Sequence, residues 1–270
     1  MTILRHLFQS PSRLLIVSFM ALILLGTFLL MLPAASVARP LPWIDALFTS
    51  TSAVCVTGLI VVDTGANFTV FGHIVILMLI QLGGIGIMTY STLFLLIAGK
   101  RPGLASQTII QDTFTHSQDR TSAAVLKDVV LFTLGIESLG VLLLFFGFLP
   151  EKGMLSALYF SIFHAVSAFC NAGFSLFSDS FIQFRGNWIL MLGICFLIIS
   201  GGLGFLVVSE IKQHFNLKHH VGSRLSLHSK LVLSTTALLL ITGTLLILFM
   251  EWKNTLADLS VPGRVLSAFF

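Results

Sequence analysis

Cys55 and Cys170 stand in one short pattern, Ser-Ala-x-Cys-x-x-Gly, repeated at an offset of 115 residues. The first copy is Ser52, Ala53, Cys55 and Gly58; the second is Ser167, Ala168, Cys170 and Gly173. A thiol invites redox or nucleophilic chemistry. No second cysteine follows at the spacing of a redox pair, and the third, Cys195, lies in an apolar stretch with no metal spacing around it. His164, three residues before Ser167, hints at a serine hydrolase, but no Gly-x-Ser-x-Gly or other activated-serine context is present. It reads better as a polar histidine on a short helix. The chemistry that does fit belongs to the backbone. Both stretches are small and uncharged, and Asp and Glu are absent from 46–62 and 153–178. A dehydrated cation needs its water replaced by oxygen dipoles, and backbone carbonyls arranged in a ring supply them. Glycine lets neighbouring carbonyls point the same way. A short helix ahead of the loop aims its C-terminal end, worth about half a negative charge, at the ion. The carbonyls expected to face it are those of Val56, Thr57, Asn171 and Ala172.

Elements that could position such loops belong to a membrane. Of the 270 residues, 56% are hydrophobic and 10% charged, against about 25% charged in soluble chains. The expected class is an all-α polytopic membrane protein. Its net charge of +4 bears on orientation; nucleic acid is not the implied partner. Long apolar spans are expected at 14–34, 70–98, 124–149, 186–209 and 230–250. Arg5 and Arg13 precede the first, and Ser36-Val37-Ala38 resembles a signal-peptidase site. A cleaved signal has an apolar core of about 7–15 residues, so this longer run is expected to be retained as a helix. Shorter helical segments are expected at 43–53 and 155–169, and another opens at Val261. Ten of the fifteen Lys and Arg fall on one side, eight in the N-terminus, 99–123 and 210–229 and two, Lys127 and Lys230, at the adjoining starts of the next spans, which predicts a cytoplasmic N-terminus. The short segments must then enter from outside and return without crossing. A re-entrant loop is tolerated only where protein or a water-filled cavity covers its backbone.

The repeat extends further. Gly83, Gly84 and Gly86 of span two match Gly201, Gly202 and Gly204 of span four as Gly-Gly-x-Gly, which allows close packing or a bend near a pore. The expected organisation is a first helix–pore–helix repeat at 12–98, a cytoplasmic loop at 99–123, a second repeat at 124–209, a second loop at 210–229 and the start of a third repeat at 230–270. The third stops inside its short helix, at Arg264-Val265-Leu266-Ser267-Ala268-Phe269-Phe270, so the chain is expected to be part of a longer protein.

TSAVCVTGL, VVDTG at 61–65, LIQLGGIGIMT at 79–89 and SAFCNAGFSLF make the chain resemble the Trk/Ktr/HKT superfamily of potassium transporters, and within it the bacterial Ktr B-subunit. The resemblance covers the whole chain. It implies four such repeats around one pseudo-fourfold pore, of which two are complete here and a third is begun. It implies a selectivity filter whose first quarter is Cys55, Val56, Thr57, Gly58 and Leu59, and whose second is Cys170, Asn171, Ala172, Gly173 and Phe174. Potassium is then the transported ion, held only at the filter, and sodium is admitted as a coupling or activating ion. No cofactor is implied. The implied partners of the full-length protein are a second copy, a cytoplasmic nucleotide-binding regulatory subunit that meets the face carrying 99–123, and the lipid of the cell membrane.

Two other classes compete. A secondary transporter with broken helices, carrying another monovalent cation or a small solute, would also place glycine-interrupted spans at its site, but inverted halves are its usual mark and these repeats run parallel. A membrane-embedded enzyme would need clustered titratable groups, and Glu137 is nearly alone in the spans. Glu137, among Gly135, Ser138 and Gly140, reads either as a paired structural carboxylate or as part of an ion path; Gln81 divides the same way. His214, His219, His220 and His228 are scattered among lysines and read as a solvated loop, not as a metal site.

Overall fold

A computed structural model describes residues 11–98, 122–215 and 225–270. The described residues form eight principal helices: α1 (Pro11–Met31), α2 (Trp43–Val54), α3 (Val70–Ala98), α4 (Ser122–Lys152), α5 (Met154–Phe169), α6 (Trp188–Phe215), α7 (Leu227–Glu251) and α8 (Val261–Phe269). There is no β-strand among them, only an isolated bridge between Ser36 and Phe68. The order long, short, long occurs twice, as α1–α2–α3 and α4–α5–α6, and α7–α8 starts it again. The loop expected at 99–123, with its regulatory docking face, lies almost wholly outside the described residues, as do His219 and His220.

Among the described residues, four helices are long and apolar enough to cross a membrane: Val70–Ile87, Leu126–Lys152, Trp188–Ile211 and Leu227–Glu251. The fifth expected span corresponds to α1, whose described apolar part, Ile16–Met31, is shorter. The outer surface is apolar, with Leu24, Phe28, Phe146, Leu239 and Phe249 all more than half exposed. In water such a surface would drive association; against lipid it is the expected exterior.

Two packing centres fix the short helices. Gly26 of α1 lies against Ser50 of α2, whose hydroxyl donates to the Ile23 carbonyl at 2.8 Å. The second centre is aromatic. Phe148 of α4, Phe160, Phe163 and His164 of α5, and Phe177, Phe181 and Phe184 beyond it meet ring against ring. Phe148, Phe163 and Phe184 are fully or almost fully buried. Arg185 and Asp258 form an ion pair between the α5–α6 and α7–α8 connections.

Candidate functional site: two matched loops

Both short helices end in the same hydrogen-bonded turn. At the end of α2 the Thr57 amide donates to the Ser52 carbonyl at 2.8 Å and the Val56 amide to Ala53 at 3.2 Å. At the end of α5 the Ala172 amide donates to Ser167 at 2.8 Å and the Asn171 amide to Ala168 at 3.0 Å. These paired bonds define a Schellman cap, which places the residue after the cap in the left-handed region. That residue is Val56, at φ 52°, in one loop and Asn171, at φ 58°, in the other. Two residues on, Gly58 and Gly173 are also left-handed, at φ 80° and 72°. Alternating left-handed residues turn the chain out of the helix and then along a line. The glycines were legible as conformational necessities; the left-handed Val56 was not, because a β-branched residue is the least suited to that region.

The loops meet each other at their glycines. A Cβ built on Gly58 would lie 2.7 Å from the Ala172 carbonyl oxygen and 3.2 Å from the Gly173 Cα. Exposure differs sharply. Cys55, Thr57 and Leu59 are exposed and Val56 is half-buried, whereas in the second loop Asn171 and Gly173 are exposed while Cys170, Ala172 and Phe174 are buried.

The Gly-Gly-x-Gly motifs hold these turns from behind. A Cβ on Gly83 would fall 2.0 Å from the carbonyl oxygen of Val54, the last residue of α2. A Cβ on Gly201 would fall 1.8 Å from the carbonyl oxygen of Phe169, the last residue of α5. Each following helix thus touches the carboxyl end of its own short helix through a missing side chain. Gly84 receives the Cys170 sulfur, 2.7 Å from where its Cβ would be, whereas Gly202 faces open space. Gly86 sits inside a continuous α3, but Gly204 has φ 77° and ψ 157° and interrupts α6. Close packing and bending, both expected of this motif, occur at different glycines.

The segments that follow the loops are anchored by buried histidines. The Leu176 amide donates to His164 Nε2 at 3.2 Å, so Nδ1 carries the proton and donates to the Phe160 carbonyl at 2.8 Å. The Ser175 hydroxyl also lies 3.2 Å from Nε2, and Phe177 stacks on the imidazole. In the other unit His73 Nε2 donates to the Thr64 carbonyl at 2.7 Å, while its Nδ1 accepts from Tyr159 of α5. His73 carried no motif, and only the fold brings it to the loop. Gly65 sits where a Cβ would lie 2.0 Å from the Leu176 carbonyl oxygen. A hydrogen bond from the Ser178 side chain, with help from the Ala66 and Gly65 amides, holds the Asp63 carboxyl below its usual range against a smaller opposing effect of burial. No group of three or more metal-ligating His, Cys, Asp or Glu side chains occurs among the described residues, and the three cysteines are free. Glu137 and Gln81 are joined to each other.

A family profile described as a cation transport protein, TrkH, matches residues 6–266. The chain is 40% identical over 263 residues to Ktr system potassium uptake protein B of Bacillus subtilis strain 168, covering 97% of this chain and 58% of that one. It is 38% identical over 260 residues to the protein of the same name in Vibrio alginolyticus, covering 96% and 56%. It is 39% identical over 263 residues to potassium/sodium uptake protein NtpJ of Enterococcus hirae, covering 97% and 57%. The chain therefore spans a little over half the length of these relatives.

Proposed function

The chain belongs to the TrkH family of cation transport proteins, and from that premise we propose that it forms two quarters, and the beginning of a third, of a potassium-conducting pore. The observation that carries this reading is the identical turn after α2 and α5: a Schellman cap, a left-handed residue, and a left-handed glycine two residues later. Two copies of an unusual backbone path, touching at Gly58 and Gly173 and free of charged side chains, suit a ring of carbonyl ligands. Cys55 to Leu59 and Cys170 to Phe174 are the proposed filter quarters. Gly83 and Gly201 hold the carboxyl ends of α2 and α5 in place, so the negative ends of both helices point toward the ion. The names of the relatives favour potassium, with sodium named beside it in one of them; sodium as a coupling or activating ion belongs to the same proposal. The protein is placed in the cell membrane with its N-terminus cytoplasmic, following the ten-to-five distribution of basic residues. In the full-length protein the pore subunit pairs with a second copy and with a cytoplasmic nucleotide-binding regulator.

A secondary transporter with broken helices is the second reading. The interruption of α6 at Gly204 favours it, and the parallel order of the repeats opposes it.

The test is ion uptake by the full-length protein in a potassium-uptake-deficient cell. Gly58→Ser adds a Cβ at positive φ, directly against the Ala172 carbonyl. Potassium-over-sodium preference is expected to fall about tenfold, equivalent to about 1.4 kcal/mol, with expression kept. An unchanged preference would remove Gly58 from the filter. Cysteine labelling from outside at Val37, 64% exposed, but not at Ser106 is expected; the opposite pattern would reverse the topology.

A further inference from the structure

Glu137 is buried within the apolar length of α4, 5% exposed. Its Oε2 accepts from Gln81 Nε2 of α3 at 3.0 Å, a bond that ties the first unit to the second. The other two oxygens of the pair, Glu137 Oε1 and Gln81 Oε1, are also buried, and neither has a partner. A carboxylate only accepts hydrogen bonds, and an amide oxygen only accepts. The pair therefore holds two buried acceptors and lacks a donor. Turning the Gln81 amide over exchanges its ends but leaves the shortage. The Thr133 hydroxyl, one turn earlier on α4 and fully buried, has no partner either, so it does not fill the gap. Among the described residues no basic side chain pairs with Glu137. An isolated carboxylate in an apolar interior is strongly disfavoured and neutralises instead.

We propose that Glu137 is a proton-binding site, its carboxyl held neutral as an acid–amide pair with Gln81 behind the second loop. One proton on Oε1 makes that oxygen a donor, and Gln81 Oε1 becomes its acceptor. Both strands of the pair are then satisfied. A bare cation would need a fuller shell of oxygens than this pair offers. Among the described residues, the Cys170 thiol of the second loop lies within electrostatic reach of Glu137, and its sulfur packs on Gly84, one turn from Gln81. The pair thus braces α3 against α4 where both support the second loop. Neutrality keeps a negative charge out of the field that the loop's carbonyls set. Glu137 acts as a positioning residue. Its place beside a filter rests on the pore reading; its proton does not.

The test uses the full-length protein in lipid. Infrared difference spectra of wild type against Glu137→Gln are expected to show a protonated-carboxyl C=O stretch, shifted by deuterium, in wild type alone. Ionised-carboxylate bands in that difference would overturn the proposal. The exchanged pair Gln81→Glu with Glu137→Gln is expected to restore the band, and carries the measurement if the single variant fails to fold. Its absence from the exchanged pair would count against an acid–amide contact. Because Glu137→Gln preserves a neutral, donor-bearing partner, potassium uptake and potassium-over-sodium preference should stay within about twofold of wild type across pH. A tenfold loss in a folded Glu137→Gln protein would mean that charge at this position is used, and would overturn neutrality. The infrared result stands or falls independently of which ion the pore carries.

Discussion

The two loops share a backbone but differ in what supports it. In the second, Ser167 donates to the Phe174 carbonyl at 2.7 Å, closing the turn on itself. At the same register in the first, the Ser52 hydroxyl is buried without a partner. His164 holds the segment after the second loop, inside a box of phenylalanines. Its register mate in the first unit is Thr49, buried and unpartnered, and in the third it is Arg264, which caps the Leu259, Trp252 and Ala257 carbonyls. The first unit leans outward instead. Gly58, Gly65 and Gly84 each press on the second unit, at Ala172, Leu176 and Cys170. The second unit's Gly202 and Gly204 press on nothing described. One repeated motif therefore fixes a path, while each copy finds its own bracing.

The largest expected effects should be equal in the two units and would break the comparison if they were not. Gly83→Ala and Gly201→Ala each drive a methyl into a helix-end carbonyl. The backbone must shift, so each is expected to destabilise by about 5 kcal/mol or more, beyond the usual overpacking range of about 1–3 kcal/mol because the clash is with backbone, read as loss of thermal stability in detergent. A harmless Gly201→Ala would show that α6 does not rest on α5 as α3 does on α2.

Next come pairs that should be unequal. His164→Ala removes a buried ring and its hydrogen bonds and should cost about 3–5 kcal/mol, as for other large buried rings. Thr49→Val, which deletes an unpartnered hydroxyl at nearly constant shape, should cost about zero or slightly stabilise. Equal losses would mean that Thr49 has an anchoring role. Gly84→Ala meets the Cys170 sulfur and should cost about 1–2 kcal/mol, whereas Gly202→Ala should be silent in any protein where that face stays open. A cost at Gly202 in the full-length protein would show that a later segment fills it.

The smallest effect sharpens the contrast in backbone strain. Val56→Gly should stabilise by about 1 kcal/mol, because a side chain in the left-handed region costs about 1–2 kcal/mol and glycine avoids it. Asn171→Gly should change stability by a few tenths, since asparagine already tolerates that region. Chemical denaturation of the two variants side by side reads the difference.

The long and short helices were legible because apolar run length is a one-dimensional property. The expected short segment 43–53 is α2 at Trp43–Val54, and 155–169 is α5 at Met154–Phe169. Cys55–Gly58 and Cys170–Gly173 were legible because two copies in register are a signal that neither gives alone. His73 was not, since nothing in its neighbourhood marks a residue whose partners are Thr64 and Tyr159, the latter 86 positions away. The tie between Glu137 and Gln81 left its signs in the sequence, as two polar residues in apolar spans, but not the pairing, which depends on how α3 and α4 face each other.

By itself, then, the sequence determined the membrane class, the order of helices, the repeated loop and the glycines that loop requires, because hydropathy and backbone permissiveness are local. Tertiary structure alone decided which glycine packs and which bends, that Val56 would bear a left-handed backbone, and that the segment after one loop would be anchored by a histidine of its own short helix and the segment after the other by a histidine of the following helix. Those outcomes follow from close approach between segments far apart in the chain, and distance in space is what a local pattern does not encode.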